Sequence, residues 1–108
     1  MIVVINTYIG ETSLYETVEG QDVLLKCPEN VQNSSVIWWN YDQQRIVVNG
    51  KVLSEFNQYI SYDRTSGNLT IQKVLRRDSG VYYCTVGFRE PHAILLIVSG
   101  KFQHNAYT

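Results

Sequence analysis

The sequence predicts an antiparallel all-β domain, on three observations. Turn-forming clusters recur at short intervals: Ile9-Gly10-Glu11, Asp42-Gln43-Gln44, Asn49-Gly50 and Asp63-Arg64-Thr65-Ser66-Gly67. The segments between them alternate apolar and polar residues, the two-residue period of a strand with one face buried. No stretch carries the helical period over the length of a helix. At 108 residues the chain is one domain with a single core, read here as residues 1–99 followed by a C-terminal linker or tail over 100–108.

The elements follow in order. Ile2–Tyr8 and Ser13–Glu19 suit a first strand split at Ile9-Gly10-Glu11. In the next strand, Val23–Cys27, the alternation puts Val23, Leu25 and Cys27 on one face. Pro28 and the polar run from Glu29 to Ser35 make a loop before the strand Val36–Tyr41. After the turn at Asp42-Gln43-Gln44 comes Arg45–Val48, then Asn49-Gly50, the strongest short hairpin signal in the chain, leading into an edge segment at Lys51–Phe56. Tyr59–Tyr62, Leu69–Val74, Val81–Val86 and Ala93–Val98 complete the set, with Leu69, Ile71 and Val74 expected to point inward.

Charge excludes some partners. Nine Lys plus Arg against ten Asp plus Glu leave a net charge of -1, without the basic footprint that nucleic acid or an anionic membrane requires. The apolar runs Ile2–Ile5 and Ile94–Val98 are too short to span a bilayer, and the first lacks the basic flank of a signal peptide. The expectation is a fragment excised from a longer protein, with no direct membrane contact of its own.

The most specific pattern is Cys27, then Trp38, then Asp78-Ser79-Gly80-Val81-Tyr82-Tyr83-Cys84. It resembles the immunoglobulin superfamily from about Leu14 to about Val98. The resemblance implies an immunoglobulin-like two-sheet Greek-key sandwich with one inter-sheet disulfide, Cys27 to Cys84. It places Trp38 in the core against the bridge, Tyr82 pinning the preceding turn through its hydroxyl, and Asp78 in that turn with the core set. In the family's letters, Val23–Cys27 is strand B, Val36–Tyr41 C, Arg45–Val48 C′, Tyr59–Tyr62 D, Leu69–Val74 E, Val81–Val86 F and Ala93–Val98 G. The cysteine spacing lies between the compact seven-strand type and an antibody variable domain, which favours a V-type or V/I intermediate. The bridge implies an oxidising, extracellular or lumenal compartment; the alternative is two buried free thiols in a cytosolic sandwich.

Two departures from the family pattern bear on function. Where joining-segment receptors carry Phe-Gly-x-Gly, this chain has Phe88-Arg89-Glu90-Pro91-His92, which argues against a rearranged antigen receptor. Where many members place an arginine that pairs with the aspartate of the E-F turn, this chain has Tyr59, so Asp78 must cap its own turn or use another arginine.

With Trp38 and Cys84 inward, Ile37, Trp39, Tyr41, Tyr83 and Thr85 face out of the sheet, and Ile46, Val47, Val48, Leu95 and Ile97 offer further aliphatic area in either register. Large contiguous apolar patches are rare on soluble monomers, so this face is expected to be covered by protein. The candidate partner-binding residues are Ile37, Trp39, Tyr41, Val47, Tyr83 and Leu95, with Phe88 and Arg89 from the adjoining loop. Exchanging the roles of Trp38 and Trp39 would still leave a tryptophan outside; the competing reading is that Trp39 and Tyr41 pack on one another and serve the sheet alone.

Asn33-Ser34-Ser35 and Asn68-Leu69-Thr70 match the acceptor pattern for N-linked glycan, making Asn33 and Asn68 candidate glycosylation sites on what would be a glycoprotein. Catalysis and metal binding find no constellation: His92 and His104 are isolated, Ser79 belongs to turn chemistry, and the acidic residues lack calcium-loop spacing. No cofactor is implied. The sequence therefore predicts a non-enzymatic recognition module of a cell-surface adhesion or immune-type receptor. It would bind through the C-C′-F-G sheet, in its most specific form to a second copy of itself or a related surface protein. The rivals are a ligand-binding domain of a cytokine or growth-factor receptor, or its secreted decoy, and a structural spacer.

Overall fold

The computed structural model describes residues 5–9, 12–28, 31, 35–40 and 43–100, with the side chains of 5–9 left aside. Its strands are β1 (Ile5–Ile9), β2 (Thr12–Val18), β3 (Val23–Leu25), β4 (Val36–Asn40), β5 (Arg45–Val48), β6 (Lys51–Val52), β7 (Ile60–Tyr62), β8 (Leu69–Ile71), β9 (Gly80–Val86) and β10 (His92–Ser99). They form two sheets, one in the order β1-β2-β10-β9-β4-β5-β6 and one in the order β3-β8-β7. The pairings are antiparallel except β10 on β2, which is parallel. A 3-10 turn at Arg76–Asp78 precedes β9.

Alternation decides which residues fill the space between the sheets. Val23, Leu25 and Cys27 from one side meet Trp38, Tyr82, Cys84, Ile94 and Leu96 from the other, and Leu69, Ile71 and Val74 are buried as their period requires. The Cys27–Cys84 disulfide joins residues 57 apart in sequence, with Cα atoms 5.7 Å apart. Restricting a loop of that length in the unfolded chain contributes about 2–4 kcal/mol. Trp38 is wholly enclosed, and its indole Nε1–H donates to the Gly67 carbonyl at 3.0 Å. That bond fixes the turn between β7 and β8 over the core. Gly67 adopts φ +81°, and a Cβ added there would lie 2.6 Å from a Val31 methyl, so this turn requires glycine.

The tyrosine of the Asp-Ser-Gly-Val-Tyr run pins its turn: Tyr82 Oη–H donates to the Asp78 carbonyl at 2.5 Å. Asp78 itself is half-buried and outside the core proper, contrary to its expected place there. Its carboxylate accepts the Leu75 N–H at 2.8 Å, so it caps its own turn. The hairpin signal at Asn49-Gly50 is realised with φ +53° and +76°, the paired left-handed conformations that match strand twist.

Two further expectations are corrected. The break after Ile9 is a chain reversal: β1 turns back antiparallel on β2, from Ile5↔Glu16 to Ile9↔Thr12, at the edge of the larger sheet. More important for the surface, Val47 is buried, as is Ile46. The register between β4 and β5 shifts between Trp38 and Trp39, giving Trp38↔Val47 but Trp39↔Arg45. Residues directly opposite share a face, so Val47 follows Trp38 inward, while the extra residue Ile46 also turns into the core. Val47 is therefore removed from the candidate surface set.

Candidate functional site

The outward face of the larger sheet is built by cross-strand rows. One row runs Arg45, Trp39, Tyr83, Ala93; the next runs Val48, Ile37, Thr85; and a third runs Val81, Leu95, Leu14. All are half-buried except Arg45, which is exposed. The register makes the rows continuous, because each strand contributes every second residue to this side.

Trp39 lies at the centre and is held from two directions. Its ring stacks on Tyr83 with centroids 4.2 Å apart and planes 14° from parallel. Its indole Nε1–H donates to Thr85 Oγ1 at 3.1 Å. The donor is therefore satisfied within the face, and covering the ring with another apolar surface would strand no N–H. Beside it lies an open depression of about 300 Å³ lined by Ile37, Trp39, Gln43, Arg45 and Thr85. The bulge between β4 and β5 put Arg45 here in place of Ile46, so the face carries a cation that strand alternation alone would have replaced with an aliphatic side chain.

At the end of the same sheet, residues 87–91 connect β9 to β10. Gly87 N–H donates to the Ser35 carbonyl at 2.7 Å, and Arg89 N–H to the Val86 carbonyl at 3.1 Å. Gly87 adopts φ +61°. The tight turn so formed displays Phe88 fully exposed, next to the exposed Arg89 and Glu90.

The structure thus brings Ile37, Trp39, Tyr83 and Leu95 onto one face, with Phe88 and Arg89 at its end. Tyr41 and Asn33 lie outside the described residues. Asn68 is half-buried in the turn before β8, its N–H donating to Ser66 Oγ at 3.2 Å. Arg45 and Gln43 were missed by the sequence reading; a bulge has no local signature in Arg45–Val48.

Electrostatic perturbation lies elsewhere. Burial, then the neighbouring Asp78 and Glu55 against the opposing Arg77, pushes the Tyr59 phenol above its ordinary value. Burial does the same to Tyr62, with Arg64 opposing and Asp63 assisting. Hydrogen bonds from the Thr65 backbone and the Ser66 side chain hold the Asp63 carboxyl below the usual range. Among the described residues no three His, Cys, Asp or Glu side chains gather as a metal site, and no helix is long and apolar enough to cross a membrane.

A two-sheet sandwich with an inter-sheet disulfide, an enclosed tryptophan and a tyrosine-pinned turn defines a V-type immunoglobulin-like domain. The chain belongs to the immunoglobulin domain family, whose model matches residues 6–87. Human T cell receptor alpha variable 2 is 31% identical to it over 83 residues, covering 72% of this chain and 74% of the relative. The first Ig-like domain of human CD48 antigen has the same fold with a TM-score of 0.75 at 24% identity, over 92% of this chain and 93% of that one. The ZIG-8 IG1 homodimer gives a TM-score of 0.71 at 16% identity, over 88% and 85% of the two chains.

Proposed function

We propose that residues 1–99 form an extracellular protein-recognition module of a cell-surface adhesion or immune-type receptor. The module binds through the outer face of β4, β5, β9 and β10, and its best-fitted partner is a second copy of itself. Residues 100–108 are read as a C-terminal linker or tail outside the module. The observation that carries this reading is the Trp39–Tyr83 stack, an aromatic platform whose indole donor is already satisfied, standing in the middle of an aliphatic sheet face. Aromatic residues held rigid in this way lose little entropy on binding and dominate interface energetics.

Supporting arguments come from chemistry and from likeness. A disulfide persists in an oxidising compartment, and glycans at Asn33 and Asn68 suit the same location. ZIG-8 IG1, which shares this fold, forms a homodimer. The half-buried Ile37, Trp39, Tyr83 and Leu95 gathered on one face suit a contact surface for another protein, and the role proposed is binding.

The test is a fluorescent multimer of the domain applied to cells that display the same domain and to cells that do not. Binding to the displaying cells should be lost with Trp39→Ala and kept with Lys73→Ala, which is exposed beyond β8 on the smaller sheet. Binding lost with Lys73→Ala and kept with Trp39→Ala would contradict the proposal.

A further inference from the structure

The geometry points to a reciprocal insertion: in a two-fold pair of these domains, Phe88 of each copy enters the other copy's depression beside Trp39, and Glu90 of each pairs with the other's Arg45. This deepens, and rests on, the reading of the outer sheet face as a partner surface.

The exposed Phe88 at the end of the face, the depression on it and the charges beside each motivate it. Phe88 is fully exposed, and the turn that carries it is closed by the Gly87 and Arg89 backbone bonds. An aromatic side chain can bury about 150–250 Å² when it finds a cavity. A depression of about 300 Å³ lies on the adjoining sheet face, lined by Ile37, Trp39, Gln43, Arg45 and Thr85. Phe88 is fully exposed and is not among the residues lining the depression of its own chain.

Proximity makes the contact self-complementary. Ile37 and Thr85 pair directly across β4 and β9, and Phe88 follows Thr85 by three residues. A two-fold axis lying in the interface plane, perpendicular to the line from Phe88 to the depression and through its midpoint, places each ring over the opposite depression. This is the isologous geometry of a closed dimer, in which both contacts form together.

Charge selects the same arrangement. Arg45 stands on the depression's wall and Glu90 two residues from Phe88; both are exposed, and neither has an ion-pair partner among the described residues. Insertion of Phe88 brings the two signs together twice per dimer.

Sedimentation equilibrium of the folded domain tests this. Phe88→Ala should weaken self-association by about tenfold or more while leaving the melting temperature unchanged, since the ring is fully exposed in the free domain. Arg45→Glu and Glu90→Arg should each weaken it, because each creates two like-charge contacts. An equimolar mixture of those two variants should recover association, because both contacts then join opposite signs. A mixture as weak as its components overturns the insertion. So does association that survives Phe88→Ala but is lost in Trp39→Ala, an outcome that leaves the face reading standing. A wild-type domain that stays monomeric throughout also overturns the insertion, and the cell-binding arms with Trp39→Ala and Lys73→Ala then judge the face alone.

Discussion

Truncating Trp39 to alanine separates the two jobs its geometry assigns. Within the fold the ring stacks on Tyr83, and such a contact contributes about 0.5–1.5 kcal/mol beyond area burial. Its bond to Thr85 adds about 0.5–1.5 kcal/mol. Trp39→Ala should therefore lower stability by about 1–3 kcal/mol, a fall in Tm of about 5–15 °C for a domain of this size. Trp38→Ala, by contrast, empties a fully buried site and should cost about 3–5 kcal/mol or more. On binding, the order reverses. A central interface aromatic contributes about 2 kcal/mol or more, so Trp39→Ala should raise Kd by about thirtyfold. Chemical denaturation gives the first quantity, and sedimentation at a temperature where both proteins are folded gives the second. Thr85→Val is a useful companion: it leaves the stack but strands the indole N–H, which water satisfies in the free protein and a partner does not. It should cost no more than about 1 kcal/mol in stability, yet weaken association by about 1–3 kcal/mol. If Trp39→Ala destabilises as much as Trp38→Ala and leaves association per folded molecule unchanged, the reasoning fails.

Other perturbations probe the supporting structure. Gly67→Ala should destabilise by about 2–4 kcal/mol in equilibrium unfolding, because it combines a left-handed backbone with a clash against the buried Val31. Thr17 Oγ1 is buried with no hydrogen-bond partner among the described residues, so Thr17→Val should be neutral or stabilising by up to about 1 kcal/mol in the same assay; a clear loss would mean the hydroxyl is satisfied. Asp63 has a depressed folded-state pKa, so its stabilisation is complete above its unfolded value near about pH 4 and is lost as pH falls through the folded value. Asp63→Asn should accordingly lower stability at neutral pH and flatten the acid side of the stability profile. Cys84→Ala removes the inter-sheet bridge and should cost about 2–5 kcal/mol; mass spectrometry finding free thiols in unreduced wild-type protein would contradict the bridge.

What the sequence revealed and what it hid follow from the range of the forces involved. The two-residue period is local, so Val23, Leu25 and Cys27 could be assigned to one face by reading along one strand, whereas the choice of Trp38 over Trp39 for the core came from the resemblance to the family pattern. The Asn49-Gly50 turn and the Asp78–Tyr82 run were legible because their chemistry lies within a few neighbouring residues. Register was not legible. The shift between Trp38 and Trp39 depends on how β5 meets β4, and it alone buries Ile46 with Val47 and brings Arg45 beside Trp39. The same limitation hid the reversal of β1 onto β2, since a split strand and a hairpin share a Gly-centred break. Contacts between distant segments were equally silent. Nothing in the sequence near Val31 or Gly67 announces that the two meet over Trp38, or that the Tyr15 hydroxyl accepts the Lys26 N–H at 3.1 Å.

The claim that the outer face of the larger sheet is the contact surface can be tested with the chain's own two tryptophans. Trp38 and Trp39 place one indole N–H in the core, bonded to Gly67, and one on the face, bonded to Thr85. Nitrogen–proton spectra recorded from micromolar to millimolar protein should show the Trp39 indole signal moving, together with the amides of β4, β9 and β10, while the Trp38 indole and the β3-β8-β7 sheet stay fixed. Shifts gathered on β3, β8 and β7, or a Trp39 indole unmoved across the whole range, would contradict the account.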